Sequence, residues 1–326
     1  MDDVIEIKNL TKDYGQGRGV FDVSFNVKNG ECFGFLGPNG AGKSTTIRHL
    51  MGFSVPDSGM TLIRGENSLK NRSIIMQGVS YIPGEVALPL SLKGKEVIEE
   101  QMKLKNMQEH SFLDYLIDYF EYDSNLYCKE MSLGMKRKTA IICAFMSDPD
   151  IIIMDEPSSG LDPEMQEKFV LLVEEEKKKG KTILLSSHIF QEVDNCCDRI
   201  AVIKDGKIVS NFIANDLKHK SIKEYQITYK DKKAKEDAIK EMKKKKYQIK
   251  DYKDKNSFYI SIDEKNTNSF IKDLYSNNLI DLHEKKETLE DYFMSFYKED
   301  KTYGGIKKWM MLRKLYQLKM SVKIMV

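Results

Sequence analysis

One glycine-rich run, Gly37, Pro38, Asn39, Gly40, Ala41, Gly42, Lys43, Ser44 and Thr45, constrains the fold more than any other stretch of the chain. It fits G-x-x-x-x-G-K-[ST], with Gly37, Gly42, Lys43 and Ser44 at the fixed positions. The apolar Cys32-Phe-Gly-Phe-Leu36 before it predicts a buried strand, and Thr45 to Met51 after it predicts a helix. Strand, glycine turn and helix together form a phosphate loop. Glycines let successive backbone N–H groups point into one concavity, and the helix N-terminus adds partial positive charge. Lys43 supplies a full charge for β- and γ-phosphates, and the Ser44 hydroxyl suits a Mg²⁺ position. The loop therefore predicts a bound nucleoside triphosphate.

A second element answers the first. Ile151-Ile-Ile-Met154 is apolar enough for the middle of a parallel sheet, and Asp155 and Glu156 follow it directly. Open α/β sheets place ligands at the carboxyl ends of their strands. Asp155 there is suited to hold Mg²⁺, and Glu156 to orient or deprotonate an attacking water. Gly180 to Ser187 reads as another strand, which presents His188 at its end as a γ-phosphate contact. Tyr14, in the loop between two predicted strands at 4–10 and 20–27, offers an aromatic face. That ring can stack on a base or pack locally, and its position alone supports either.

Further along, residues 74–82 predict a strand ended by Pro83-Gly84. From Ser91 to about Asn125 the pattern is helical, with Phe112, Leu113, Leu116, Ile117 and Phe120 as a packing stripe. Ser132 and Gly134 suit the start of a helix over about 128–147. A helix is expected from Pro163 to Lys179 and a hairpin turning at Asp205-Gly206. After Leu217 the order β-α-β-β-α-β predicts a small α+β, ferredoxin-like domain. Its Lys243–Lys246 run caps a solvated helix end rather than binding nucleic acid.

The order of these motifs resembles the nucleotide-binding subunits of ABC transporters, over roughly residues 1–216. Gly37–Thr45 is similar to the family's Walker A loop, Ile151–Asp155 to its Walker B strand, and Glu156 to its catalytic acid. Ser159-Gly-Leu-Asp162 resembles its D-loop, His188 its switch histidine and Tyr14 its base-stacking aromatic. Met131-Ser-Leu-Gly-Met135 stands where the family signature is usually Leu-Ser-Gly-Gly-Gln; Ser132 and Gly134 are retained, Leu133 and Met135 depart. The resemblance implies a P-loop NTPase cassette of α/β class: a RecA-like core with an antiparallel β subdomain and a helical signature subdomain at about 85–147. It also implies ATP and Mg²⁺, with Asp162 and a second subunit's Ser132 and Gly134 completing the nucleotide site. A loop bearing glutamine should follow Tyr81-Ile-Pro83, yet position 84 is Gly and 85 is Glu. Either Glu85 substitutes as a metal ligand or the ion leans on Ser44 and Asp155.

With exporter-type wording around the signature, the expectation is an ATP-hydrolysing subunit of an exporter, driving separate integral-membrane subunits through head-to-tail dimerisation. The domains expected are 1–216 (ATP-binding), 217–297 (accessory) and 298–326 (basic tail).

Composition narrows the setting. The chain has 326 residues, a net charge of +2 and a 41% hydrophobic fraction, ordinary for a globular protein of two domains. No apolar run reaches the roughly 18–20 residues of a membrane span, and the acidic Met1-Asp-Asp-Val-Ile-Glu start does not read as a secretory leader. Five cysteines without metal spacing predict reduced thiols, and Cys196-Cys197 reads as a pair of helix residues. The expected location is cytoplasmic, peripheral on the inner face of the membrane through the partner subunits. Residues 298–326 carry eight basic and two acidic residues. From Tyr303 on, Ile306, Trp309, Met310 and Leu312 fit either an amphipathic helix or an extension beyond the last domain.

Overall fold

The computed structural model describes residues 2–295 apart from 108–109, 219–221, 246, 251–255, 275–278 and 286–288. The basic tail at 298–326 therefore lies outside the described residues. The chain divides into two units, Met1–Lys220 and Ser221–Val326.

In the first unit, β1 (Asp3–Asp13) and β2 (Gly19–Lys28) pair antiparallel, and β3 (Cys32–Leu36) runs into the phosphate loop ahead of α1 (Lys43–Leu50). Next come β4 (Ser58–Ile63), β5 (Glu66–Asn67), α2 (Arg72–Gly78) and β6 (Val79–Ile82). Three helices follow: α3 (Gly94–Leu104), α4 (Ser111–Tyr119) and α5 (Leu133–Phe145). Leu113, Leu116 and Phe120 of the predicted stripe are buried. The unit ends with β7 (Ile151–Asp155), α6 (Pro163–Lys178), β8 (Thr182–Ser187), α7 (Phe190–Cys196), β9 (Arg199–Lys204), β10 (Lys207–Ile213) and α8 (Ala214–Lys218).

These strands make a four-stranded sheet, β2-β1-β4-β5, and a six-stranded sheet, β10-β9-β3-β8-β7-β6. In the larger sheet β9, β3, β8, β7 and β6 are parallel and β10 is antiparallel to β9. Every residue of β3, β7 and β8 is buried, as apolar central strands of a parallel sheet must be. The two sheets share one core: Phe25 of β2 stacks on Phe33 of β3 with ring centroids 5.0 Å apart.

One predicted strand is half helix. Ile74 to Gly78 belongs to α2, and only Val79–Ile82 is strand. Ile75 faces the core while Ile74 is 61% exposed, so the apolar run divides between a helix face and a strand.

In the second unit, β11 (Ile222–Tyr229), α9 (Lys232–Lys244), β12 (Gln248–Lys250), β13 (Ser257–Asp263), α10 (Thr267–Asp273), β14 (Leu279–Lys285) and α11 (Leu289–Ser295) follow in order. Its sheet runs β12-β13-β11-β14, with every pair antiparallel. Ile227, Phe258, Ile260 and Phe270 centre its own core, and Ala234, Ala238 and Ile239 of α9 pack on it. Asp231 caps α9 by accepting the Ala234 N–H at 2.8 Å. Lys243 and Lys244 lie in its last turn, where they complement the helix dipole.

Candidate functional site

Because β3, β8 and β7 are parallel neighbours, the segments leaving their carboxyl ends meet at one edge. These segments are the phosphate loop, His188 and the pair Asp155-Glu156. The Gly37 N–H donates to the Ser187 carbonyl at 3.3 Å, tying the loop to the end of β8. Glycine is required at the loop's tight points. A Cβ on Gly37 would lie 2.6 Å from the Ile203 carbonyl oxygen, and Gly42 has φ 110° directly before α1. No side chain caps α1 and its first turn holds no acid, so its N-terminal N–H groups suit an anion.

Lys43 is buried and its ammonium donates to the Gly37 and Pro38 carbonyls at 2.5 and 3.1 Å. The same nitrogen lies 2.9 Å from Glu156 Oε1. Glu156 Oε2 meets His188 Nδ1, so one carboxylate joins the loop lysine to the histidine. Burial pushes the Glu156 carboxyl up, but His188 and Lys43 together outweigh it and hold the group below its ordinary value. His188 is raised in turn, chiefly by its hydrogen bond to Glu156 and against the pull of burial. Glu156 also has φ 51°, and its N–H donates to the Ser186 carbonyl at 3.0 Å. The left-handed backbone turns its side chain off the line of β7 and toward the loop.

Asp155 is buried, and its Oδ1 accepts the Ser186 hydroxyl at 2.6 Å. Its Oδ2 faces Gly84, where an added Cβ would lie 2.9 Å from that oxygen. Oxygen donors of this kind, a carboxylate and the Ser44 hydroxyl, suit Mg²⁺. The Glu85 side chain is exposed, and among the described residues it has no hydrogen bond or ion pair with Ser44 or Asp155.

The remaining predicted residues lie apart from the Lys43–Glu156–His188 cluster. Ser132 caps α5, accepting the Met135 N–H at 3.2 Å. A Cβ on Gly134 would lie 3.0 Å from the Gly160 carbonyl, so the start of α5 borders the 159–162 segment rather than the phosphate loop. Asp162 caps α6 by accepting the Met165 N–H at 3.0 Å. Tyr14 is 52% exposed, near the Lys12 ammonium at 5.9 Å from the ring centroid.

Two groups that pattern reading passes over hold this edge together. Arg137, on α5, is 1% exposed. It donates to the carbonyls of Pro83, Gly84 and Ser159 at 2.7, 2.6 and 3.1 Å. The sequence hides it, because Arg137 stands between Lys136 and Lys138 in a basic run of the helix. Glu192, on α7, is buried, and the hydroxyls of Ser187 and Ser158 bond to it. Burial pushes its carboxyl up to about 7, against those two hydrogen bonds. The fold thus favours the neutral acid: its stabilisation is present below the ordinary value of 4.5 and is lost as pH rises through about 7. Glu192→Gln is expected to remove this dependence and make the chain more stable than the native one at pH 8, by at most about 3 kcal/mol. Urea midpoints at pH 5 and pH 8 check it; a variant that keeps the native pH slope would show that Glu192 does not titrate in this range.

Among the described residues no helix is long and apolar enough to cross a membrane. Residues 20–159 match the ABC transporter family. The bacitracin transport ATP-binding protein BcrA of Bacillus licheniformis is 33% identical over 237 residues, which are 71% of this chain and 78% of BcrA. "Probable multidrug ABC transporter ATP-binding protein YbhF" of Escherichia coli (strain K12) is 34% identical over 232 residues, 68% of this chain but only 39% of YbhF. A solved ATP-binding subunit of an ABC transporter superposes with a TM-score of 0.60 at 31% identity, covering 66% of this chain and 92% of that one. Phosphate loop, strand-end acids and histidine occupy one sheet edge, and the likeness to BcrA spans more than two thirds of both chains: the chain belongs to the ABC transporter ATP-binding protein family.

Proposed function

We propose that this chain binds ATP with Mg²⁺ and hydrolyses it as the energy-supplying subunit of an exporter-type ABC transporter. The observation that carries the reading is the Lys43–Glu156–His188 cluster at the mouth of the phosphate loop. Loop N–H groups and Lys43 bind the phosphates. Glu156, held ionised between Lys43 and His188, accepts a proton from water as general base. His188 positions Glu156 and contacts the γ-phosphate. Tyr14, whose exposed ring is free to stack, holds the base.

Bound Mg²⁺ supplies charge neutralisation at the phosphates. Ser44 and Asp155 hold it, with Glu85 left outside, because Gly84 rather than an acidic side chain adjoins the Asp155 carboxylate. Glu85→Ala is accordingly expected to leave the Mg²⁺ concentration for half-maximal hydrolysis unchanged; a tenfold increase would restore Glu85 as a ligand.

The phosphate loop leaves one side of the γ-phosphate open, and Gly134, two residues after Ser132, borders Gly160 rather than Lys43. A second ATPase subunit placing these residues on the nucleotide would close it, and Asp162 lies beside that junction. Cleavage then reopens the pair and moves the membrane subunits, with the chain peripheral on the cytoplasmic face. Residues 217–297, with strand order β12-β13-β11-β14, form a ferredoxin-like accessory domain. Affinity purification from detergent-solubilised membranes tests the assignment: a polytopic membrane protein and MgATP hydrolysis are expected in one complex. Recovery with ribosomes or DNA instead would overturn the transport reading.

A further inference from the structure

Three thiols converge behind the site, between β3 and α7. Cys32 opens β3, Cys196 ends α7 and Cys197 follows it; all are buried, and their sulfurs lie within 4.8 Å of one another. Neighbouring helix residues point about 100° apart. The backbone turns extended at Cys197, with φ −89° and ψ 143°, which lets both vicinal sulfurs face Cys32. Cys32 Sγ and Cys197 Sγ are 3.8 Å apart. A tetrahedral ion with bonds of about 2.3 Å to sulfur sets its sulfurs at about that separation.

The cluster is framed on every side. Gly34 makes room for it: a Cβ there would lie 2.5 Å from Val193 Cγ1 and 3.1 Å from Cys197 Sγ. Asp198 fixes Cys32 twice, accepting its N–H at 3.0 Å and donating its own N–H to the Cys32 carbonyl at 2.7 Å. The Cys196 thiol donates to the Glu192 carbonyl at 2.8 Å. Lys177 donates to the Cys196 carbonyl at 3.1 Å and pairs with Asp198 at 2.6 Å.

We propose that Cys32, Cys196 and Cys197 bind one soft, thiophilic metal ion of the Zn²⁺ or Cd²⁺ class through three thiolates. An all-sulfur donor set selects such ions over Mg²⁺. Each thiol releases its proton to solvent on binding. The ion fastens the end of α7, which follows His188, to the strand that enters the phosphate loop. The competing account treats the three as small apolar residues filling the core.

The full, reduced chain is titrated anaerobically with Cd²⁺, reading sulfur-to-cadmium absorption in the ultraviolet and bound metal by native mass spectrometry. One ion per chain is expected, with affinity lowered at least about tenfold in Cys32→Ser and in Cys197→Ser and unchanged in Cys128→Ser. X-ray absorption on the unaltered chain, which needs no variant to fold, is expected to count three sulfurs. Absent absorption at one equivalent, fewer than three sulfurs, or an unaltered band in both serine variants would each overturn the proposal in favour of packing alone.

Discussion

Glu156→Gln is expected to lower ATP turnover by about 10²–10⁴-fold while leaving ATP binding intact. The amide keeps the shape of the carboxylate but accepts no proton from water, so nucleotide is expected to close the proposed pair of subunits and stay uncleaved. Steady-state phosphate release, nucleotide binding and size-exclusion chromatography in ATP read the three parts separately. A second effect is spectroscopic. The hydrogen bond to Glu156 is the largest cause raising His188, so the same substitution returns the imidazole titration toward its ordinary value. Hydrolysis at the native rate in this variant would remove Glu156 from the reaction.

Arg137→Ala is expected to cost about 3–5 kcal/mol of unfolding free energy, because it strips donors from three carbonyls and leaves a void beneath them. The guanidinium serves Pro83, Gly84 and Ser159 from one planar fork. A lysine ammonium is a point charge that spans those three oxygens poorly, so Arg137→Lys should recover only part of the loss. Chemical denaturation of the three proteins tests the order Arg, Lys, Ala; equal midpoints would mean that solvent replaces the guanidinium without cost.

The phosphate loop, β3, β7 and the strand ending at His188 were legible because each is written locally, in turn glycines or an unbroken apolar run. What joins them is not local. β4 and β5 are short strands, β4 held by pairing with β1 and β5 by pairing with β4, and Ser58-Gly-Met-Thr-Leu-Ile63 has no strict alternation to announce one of them. The run at 74–78 looks like strand until burial of Ile75 but not Ile74 shows a helix face. Arg137 and Glu192 are harder still. A charge in a helix ordinarily marks its solvated side, and the carbonyls that bury Arg137 come from segments more than twenty residues away. The vicinal cysteines, too, resemble ordinary helix residues until the fold brings Cys32 beside them.

Gly84 bears on which residues the turn beside Asp155 can accept. It faces the Asp155 carboxylate, and its carbonyl accepts a hydrogen bond from Arg137. Gly84→Gln would press a Cβ to 2.9 Å from the Asp155 oxygen before the amide reached any ligand. Either the Asp155 carboxylate or the turn would have to shift, and a shift of the turn would loosen its hydrogen bond to Arg137. A bare position 84 thus leaves the Asp155 carboxylate where it stands, and any side chain there is set against the placement of that carboxylate.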